Sequence, residues 1–291
     1  MRNEPANPFL SARPIAIMDS SDNLEIIHPG HPRGGFRFCL FDFDGTLSLI
    51  REGWQGVMIP MMVEMLLETR SGETAAELDA VVREYVTRLT GKQTIYQMIQ
   101  LRHEVEKRNG NPLDPLAYKQ KYLDLLWTRI EHRVAGLIDG SIAAREMLVP
   151  GSVELLTALR DREIVLFLAS GTDYQYVHNE AKALKLDDFF GGGVYGAVDN
   201  YRSFSKKMVI ERILEENGLS GPELLTFGDG YVEIENTKEV NGVAVGVATD
   251  EVGRQRADEW KRARLIQAGA DVIIPHFGNH ASLISYLFAE D

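Results

Sequence analysis

Hydrophobic positions along this chain follow two different periods, and the change between them divides the sequence into blocks. Residues 36–43 form an apolar run typical of a buried strand, and about a hundred residues of helical spacing follow it. From residue 163 onward, short apolar runs alternate with helical stretches, a pattern typical of a parallel sheet covered by helices on both faces. The first strand has no partner in the helical block, so we expect it to join that later sheet.

The two blocks predict different sets of elements. The first contains four helices, at 54–66, 78–89, from 95 onward and at 115–135, and Pro60 interrupts the first of them. The alternating block predicts strands at 163–169, 193–198, 223–228, 242–247 and 271–274. It also predicts helices at 152–161, with Ser152 as N-cap, and at 173–185, 206–217, 233–240, 251–267 and 279–288.

Together these elements predict an α/β fold with a doubly wound parallel sheet and an inserted all-helical domain. We expect residues 36–49 and 150–291 to form the α/β core and residues 50–149 to form the helical insert. Residues 1–35 are rich in Pro, Asn, Ser and Gly and form a predicted N-terminal extension. Within it, residues 15–18 and 24–27 are candidates for short edge strands.

Composition narrows the possible partners. The formal net charge of −12 argues against nonspecific binding of nucleic acid, and an anionic substrate would need local positive charge in its site. No apolar run approaches the length of a membrane span, and the N-terminal residues lack the apolar segment of a signal peptide. A single cysteine, Cys39, excludes an internal disulfide framework. We therefore expect a cytoplasmic protein without a membrane partner.

The most informative motif is Asp42-Phe43-Asp44-Gly45-Thr46, directly after the first strand. Two carboxylates so close repel each other unless a cation, a proton or hydrogen bonds compensate. The alternative is a strand that ends in a solvated acidic turn, but the full apolar string before and after the motif disfavours it. The motif is suited to a nucleophile, a proton donor and a divalent metal gathered together.

Other strand ends carry complementary groups. Ser170-Gly171-Thr172 follows the strand at 163–169, and Gly228-Asp229-Gly230, with Glu233 beyond it, follows the strand at 223–228. Lys206 and Lys207 begin a helix between these two strands. Ligands of open parallel sheets bind beyond the carboxyl ends of the strands, so we expect these groups to converge there. Carboxylates, a hydroxyl and an ammonium are the groups that phosphoryl transfer requires.

These motifs, in this order, resemble the haloacid dehalogenase (HAD) superfamily from residue 36 to about 275. The resemblance implies a Rossmann-like core with a helical cap and a bound Mg²⁺. It implies that Asp42 is the nucleophile and a metal ligand, that Asp44 is the general acid/base and a metal ligand through its backbone carbonyl, and that Asp229 is a further metal ligand. Ser170 and Gly171 would bind phosphate together with the motif lysine.

Some assignments within the resemblance stay open. The family places its lysine just before the first apolar turn of a helix, which favours Lys206 over Lys207. Glu233 stands where relatives more often have Asp, and it reaches the metal either directly or through water. Lys92, Gln93 and Thr94 occupy the position of a substrate-contacting cap loop, although an ordinary helix–helix turn explains them equally well. The charged run from Arg254 to Arg264 is expected to be a solvated helix face.

The predicted function is a Mg²⁺-dependent phosphatase acting on a small phosphorylated metabolite, with sugar phosphates as candidates. Asp44 supports this prediction, because the dehalogenase branch typically lacks a second acid and a C–O–P leaving group needs a proton. A sugar-phosphate mutase of the same superfamily is an alternative, and a noncatalytic phosphate-binding protein is a more distant one. The sequence leaves the substrate and the oligomeric state open.

Overall fold

A computed structural model describes residues 17–19, 23–198 and 200–290, and its centre is one mixed sheet. Within these residues the strand order is β1-β2-β8-β7-β6-β3-β4-β5. The strands are β1 (Ile17–Asp19), β2 (Leu24–Ile26), β3 (Phe38–Phe41), β4 (Val165–Asp173), β5 (Gly193–Ala197), β6 (Leu224–Gly228), β7 (Val243–Val247) and β8 (Val272–Ile274). The predicted α/β class is confirmed. Residues 15 and 16 of the first proposed edge strand lie outside the described residues.

The first long strand lies in the middle of this sheet. β3 pairs in parallel with β4 on one side and with β6 on the other, so that Phe41 is opposite both Leu168 and Phe227. The carboxyl ends of the three strands therefore lie side by side at one edge of the sheet. β2 pairs antiparallel with β8, and β1 pairs antiparallel with β2. The two short N-terminal strands thus extend the sheet at its edge.

Six α-helices of the core cover the two faces of the sheet. They are α5 (Ser152–Arg160), α6 (Tyr174–Ala183), α7 (Lys206–Asn217), α8 (Tyr231–Glu239), α9 (Glu259–Gln267) and α10 (His280–Phe288). Val209 and Ile210 of α7 pack against Leu40 and Phe167. On the other face, Phe41 stacks on Phe227 with ring centroids 4.8 Å apart. Burial of these apolar strands between helices explains their continuous hydrophobic sequences.

Between β3 and α5, the helical insert contributes four α-helices. They are α1 (Gln55–Leu67), α2 (Ala75–Leu89), α3 (Thr94–Lys107) and α4 (Pro115–Asp139). Thr74 and Glu77 form a capping box at the start of α2, and Asp114 caps the start of α4. The methionines of α1 are buried in the core of this insert. The helical insert is therefore present, whereas its exact domain boundaries stay a prediction. Among the described helices, none combines the length and apolarity needed to cross a membrane.

The predicted N-cap of α5 and the predicted start of α9 are wrong for local reasons. Gly151, at φ +82°, holds the N-cap position of α5, and Ser152 is the first helical residue, with its hydroxyl donating to the Val149 carbonyl at 2.7 Å. The helix predicted from residue 251 begins only at Glu259. Asp258 caps it by accepting a hydrogen bond from the Lys261 amide at 2.9 Å. The preceding residues instead form a loop, and Glu251 in this loop lines the cavity described next.

Candidate active site

The carboxyl ends of β3, β4 and β6 open into a cavity of about 110 Å³ beneath the helical insert. The core contributes the residues expected from the motifs, and the insert contributes residues from α1, α3, α4 and the loop after α2. The lining includes Asp42, Asp44, Ser170, Gly171, Thr172, Lys206, Asp229 and Glu251 from the core, and Trp54, Met58, Thr90, Gly91, Lys92, Thr94, Gln97 and Tyr122 from the insert. Residues far apart in the sequence therefore meet around one small space.

Asp42 lies at the bottom of this cavity against a buried ammonium. Its backbone amide donates to the Phe227 carbonyl at 2.9 Å, which fixes the end of β3 against β6. Lys206 Nζ lies 2.8 Å from Asp42 Oδ1 and 3.0 Å from Glu233 Oε2. Burial raises the pKa of the Asp42 carboxyl well above its ordinary value, and the Lys206 ammonium opposes this shift. Asp42 is thus a buried carboxylate whose charge depends on nearby cations.

Lys206 remains a cation despite its burial. Desolvation alone would lower its pKa, but the carboxylates of Asp42 and Glu233 outweigh that effect and raise the pKa above the ordinary lysine value. The neighbouring Lys207 is half exposed and pairs with Glu239 at 2.6 Å on the surface. Of the two lysines left open by the sequence, Lys206 is the one that contacts the Asp42 carboxylate.

Glu233 supports the site from the first turn of α8. Its Oε1 accepts a hydrogen bond from the Gly230 amide at 2.7 Å, while its Oε2 contacts Lys206. The side chain is only 1% exposed, so both contacts are made without competition from solvent. Glu233 therefore shapes the loop after β6 and holds the lysine, in addition to any contact with a metal.

Asp44 is held by two hydroxyls near the carboxyl end of β4. Its Oδ2 accepts hydrogen bonds from Ser170 Oγ at 3.2 Å and from Thr172 Oγ1 at 2.8 Å. Its Oδ1 is buried and has no hydrogen-bond partner among the described residues, although Arg51 Nε lies 3.6 Å away. The motifs predict a role for Ser170 but none for Thr172 or Arg51. One carboxylate oxygen of Asp44 is thus held by two hydroxyls, and the other is buried near the Arg51 guanidinium.

Asp229 completes the acidic side of the cavity. Its backbone amide donates to Thr46 Oγ1 at 3.0 Å, which ties the loop after β6 to the motif after β3. Gly45, at φ +78°, lies so close that a Cβ built on it would be 2.3 Å from Asp229 Oδ2. Both the backbone conformation and the close approach therefore require glycine at this position.

A second buried lysine lies beside Asp229. Lys261 Nζ of α9 is 2.8 Å from Asp229 Oδ2 and 2.7 Å from Glu251 Oε1. Burial raises the pKa of Glu251, and Lys261 opposes that shift. The expectation that Arg254 to Arg264 form a solvated helix face is wrong at this residue. No local sequence signal identifies Lys261, because its partners come from two other loops.

The acidic residues provide a donor set that fits a divalent cation. Asp42, Asp229 and Glu233 each place a carboxylate oxygen within 4.8 Å of the others. Glu233 and Asp229 add to the raised pKa of Asp42, because like charges this close oppose ionisation. Oxygen ligands of this type are those that Mg²⁺ binds in proteins. The geometry fits a metal, although it does not discriminate Mg²⁺ from similar ions.

The loop between α2 and α3 contacts the core directly. Lys92 and Thr94 line the cavity, whereas Gln93 is buried and its Nε2 donates to the carbonyls of Tyr201 at 3.2 Å and Phe204 at 2.6 Å. A Cβ built on Gly171 would lie 3.1 Å from the Lys92 carbonyl oxygen. Gln93 therefore anchors the loop on the core, and its two neighbours are the residues that face the cavity.

Comparisons with known proteins agree with this geometry. A family model described as haloacid dehalogenase-like hydrolase matches residues 36–239, which confirms the resemblance noted in the motifs. No curated protein matches the chain significantly.

Solved structures with similar folds come from several bacteria. A predicted phosphoglycolate phosphatase from Haemophilus somnus superposes with a TM-score of 0.57 at 14% identity, covering 86% of this chain and 98% of that chain. A β-phosphoglucomutase from Clostridium difficile gives a TM-score of 0.55 at 13% identity, covering 88% and 98%. A predicted phosphatase from Clostridium acetobutylicum gives 0.54 at 18% identity, covering 86% and 98%. At these identities the similarity concerns the fold.

Proposed function

Because this chain belongs to the haloacid dehalogenase-like hydrolases, we propose that it is a phosphatase that acts on a small phosphate monoester. The observation that carries the proposal is the pairing of Asp42 with the buried Lys206 at 2.8 Å, next to a second carboxylate held by two hydroxyls. This arrangement provides a nucleophile, Asp42, and a different acid, Asp44, within one cavity. The proposed reaction proceeds in two steps through an aspartyl-phosphate.

In the first step Asp42 attacks phosphorus. Lys206 contacts Oδ1, so we assign the attack to Oδ2. The new O–P bond forms as the bond from phosphorus to the ester oxygen breaks, and Asp44 gives its proton to that departing oxygen. In this proposal the Gly171 backbone, Lys206 and Ser170 hold the other phosphate oxygens, and the Ser170 hydroxyl turns from Asp44 to the phosphate.

In the second step the phosphoenzyme is hydrolysed. Asp44, now ionised, accepts a proton from water as that water attacks phosphorus, and the bond to Asp42 breaks to release inorganic phosphate. The hydrogen bond from Thr172 to Oδ2 at 2.8 Å keeps the carboxyl group oriented, and we assign proton transfer to Oδ1, which has no hydrogen-bond partner among the described residues. The same side chain thus acts as acid and then as base.

The proposed cofactor is Mg²⁺, held by the carboxylates of Asp42 and Asp229 and the Asp44 carbonyl, with Glu233 in direct or water-mediated contact. When bound, the ion offsets the negative charge of phosphate and nucleophile. The charges support a cation here, because three carboxylates meet in the cavity of a chain of net charge −12.

The cavity favours a small, hydroxyl-rich substrate. Its volume is about 110 Å³, and the insert supplies the uncharged polar side chains of Thr94, Gln97 and Tyr122. A sugar-phosphate mutase would have to accommodate a bisphosphorylated intermediate, so the small volume favours hydrolysis. Phosphate esters of the shortest sugars and similarly small monoesters are therefore the proposed substrates, in the cytoplasmic setting expected from the sequence.

A screen of small phosphorylated metabolites with Mg²⁺, which measures free phosphate, tests the proposal. Asp42→Asn should abolish phosphate release without changing the circular dichroism spectrum. Asp44→Asn should slow turnover most for esters with poor leaving groups, because these need the proton. An isomeric phosphate as product would identify a mutase, and binding of phosphate without turnover would identify a noncatalytic protein.

A further inference from the structure

One arginine of the core reaches across to the helical insert. The guanidinium of Arg264, in α9, donates to the backbone carbonyl of Thr87, to that of Arg88 at 3.0 Å and to that of Thr90 at 3.2 Å. These three carbonyls belong to the last turn of α2 and its C-cap. The contact therefore joins an element of the α/β core to the residues directly before the cavity loop.

The end of α2 is a chemically suitable place for such a contact. The last carbonyls of a helix have no partner within it, and they form the negative end of the helix dipole. Trp260 and Tyr231 hold the arginine in place, since its guanidinium lies 5.2 Å and 4.4 Å from the centres of their rings. The group is thus oriented by aromatic rings of the core before it meets the insert.

The cavity loop begins where this contact ends. Thr90 is followed by Gly91, at φ +95°, where a built Cβ would lie 3.4 Å from the Cα of Gly230. Lys92 and Thr94, which line the cavity, come next. The position of the Thr90 carbonyl therefore fixes the start of the loop, while Gln93 holds its other end on the core.

We propose that Arg264 is a positioning residue that clasps the end of α2 and thereby holds the cavity loop closed over the active site. The consequence for substrate choice rests on the proposed phosphatase function. With the clasp made, the insert admits small phosphate esters and disfavours bulky ones.

The size of the cavity makes this selectivity measurable. A cavity of about 150 Å³ is known to hold a benzene molecule. The cavity between core and insert, at about 110 Å³, is smaller and must also hold the phosphate group. An aryl phosphate therefore requires the insert to open, whereas a small monoester gains from its closure.

Other contacts between insert and core keep the fold together without Arg264. Lys119 of α4 pairs with Asp173 at the end of β4, and Gln93 donates to two carbonyls of the core. Gln93 lies within the cavity loop and Lys119 lies in α4, so neither contact depends on the end of α2. Loss of the clasp should therefore loosen the α2 side of the insert while the protein remains folded.

The test compares Arg264→Gln with a control from the same helix. Arg262→Gln is the control, because Arg262 pairs with Glu25 of β2, away from the insert. For Arg264→Gln we expect kcat/KM for the best small substrate of the screen to fall about tenfold, the equivalent of one hydrogen bond from a charged donor. The rate with 4-nitrophenyl phosphate should stay equal or rise. Arg264→Lys, which keeps the charge but not the three-way contact, should be intermediate.

Hydrogen exchange supplies a readout that does not depend on activity. Amides of residues 86–94 should exchange faster in Arg264→Gln than in wild type and in the Arg262 control. The proposed role of Arg264 would be overturned by an equal loss of activity on both substrates. It would also be overturned by unchanged hydrogen exchange in residues 86–94. If the wild type hydrolyses neither substrate, the phosphatase proposal fails, while the exchange experiment still decides whether Arg264 holds the loop.

Discussion

The ion pair between Arg51 and Glu180 offers a direct test of how the insert is joined to the core. Arg51 lies just after the first motif, and Glu180 lies in α6. Arg51 Nε is 3.2 Å and 3.1 Å from the two carboxylate oxygens, and Nη2 is 2.7 Å from Oε1. The two side chains are only 8% and 3% exposed, so solvent cannot replace either partner.

Arg51→Met removes the guanidinium but keeps an unbranched side chain of comparable length. It leaves Glu180 buried without its cation, and breaking a buried pair in this way costs about 3–5 kcal/mol. Glu180→Leu combined with Arg51→Met removes both charges, and such replacements are often neutral. We therefore expect the double variant to recover most of the lost free energy of unfolding.

Urea denaturation of the wild type, both single variants and the double variant measures this coupling as a double-mutant cycle. A coupling energy below about 1 kcal/mol, the value of an exposed pair, would refute the argument from burial. Activity is a separate readout, because Arg51 also lies 3.6 Å from Asp44. We expect the double variant to regain stability without regaining full turnover.

The pH dependence provides an internal check. Burial raises the pKa of Glu180 above its ordinary value of 4.5, and Arg51 opposes that shift. Without Arg51 the pKa of Glu180 rises further. Glu180 of the folded variant then keeps a proton at pH values where the unfolded chain has already lost it. Its stability relative to wild type should therefore improve as the pH falls from neutral toward 4.5. A deficit that stays constant over this window would contradict the assignment of the unpaired charge to Glu180.

Three further variants test the remaining groups of the site. Lys206→Met should lower kcat roughly a hundredfold to a thousandfold through loss of a charge beside the reacting phosphate, whereas the surface variant Lys207→Met should match wild type in the same assay. Gly45→Ala should lower the free energy of unfolding in urea by about 1–3 kcal/mol, because the residue has a positive φ and its Cβ would meet Asp229. Lys261→Met should strengthen Mn²⁺ binding in calorimetry by about tenfold, because it removes a cation that competes for Asp229; weaker binding would contradict this.

The sequence predicted those parts of the fold that depend on short-range pattern. Continuous apolar runs identified the parallel strands, and the motif after β3 identified the edge at which ligand groups gather. The rule that ligands bind beyond the carboxyl ends of parallel strands then predicted that Asp42, Ser170 and Asp229 meet at one edge of the sheet. Periodicity and strand direction are local properties. They were sufficient to predict the strands and the edge of the sheet where the motifs meet.

The remaining features depend on contacts between distant segments. Arg51 and Glu180 are separated by 129 positions, and neither stands in a recognisable motif. Thr172 was visible beside Ser170, but its bond to Asp44 requires the two strand ends to be adjacent. Lys261 and Arg264 lie in a highly charged stretch whose local pattern is that of a solvated helix. In each case the burial that gives the residue its role comes from partners elsewhere in the chain.

Lys261 and Arg264 lie three residues apart on one side of α9. This spacing raises the question of whether metal binding beside Lys261 is coupled to the contact between Arg264 and the end of α2. The helix itself is firmly fixed: Leu265 is fully buried in the core, and Arg262 pairs with Glu25. A fixed helix transmits little movement from Arg264 to Lys261. We therefore expect Arg264→Gln to loosen the insert without altering Mn²⁺ affinity, and Lys261→Met to alter the affinity without changing exchange in residues 86–94. If either variant changed both the Mn²⁺ affinity and the exchange in residues 86–94, α9 would instead move as a rigid body and couple the two sites.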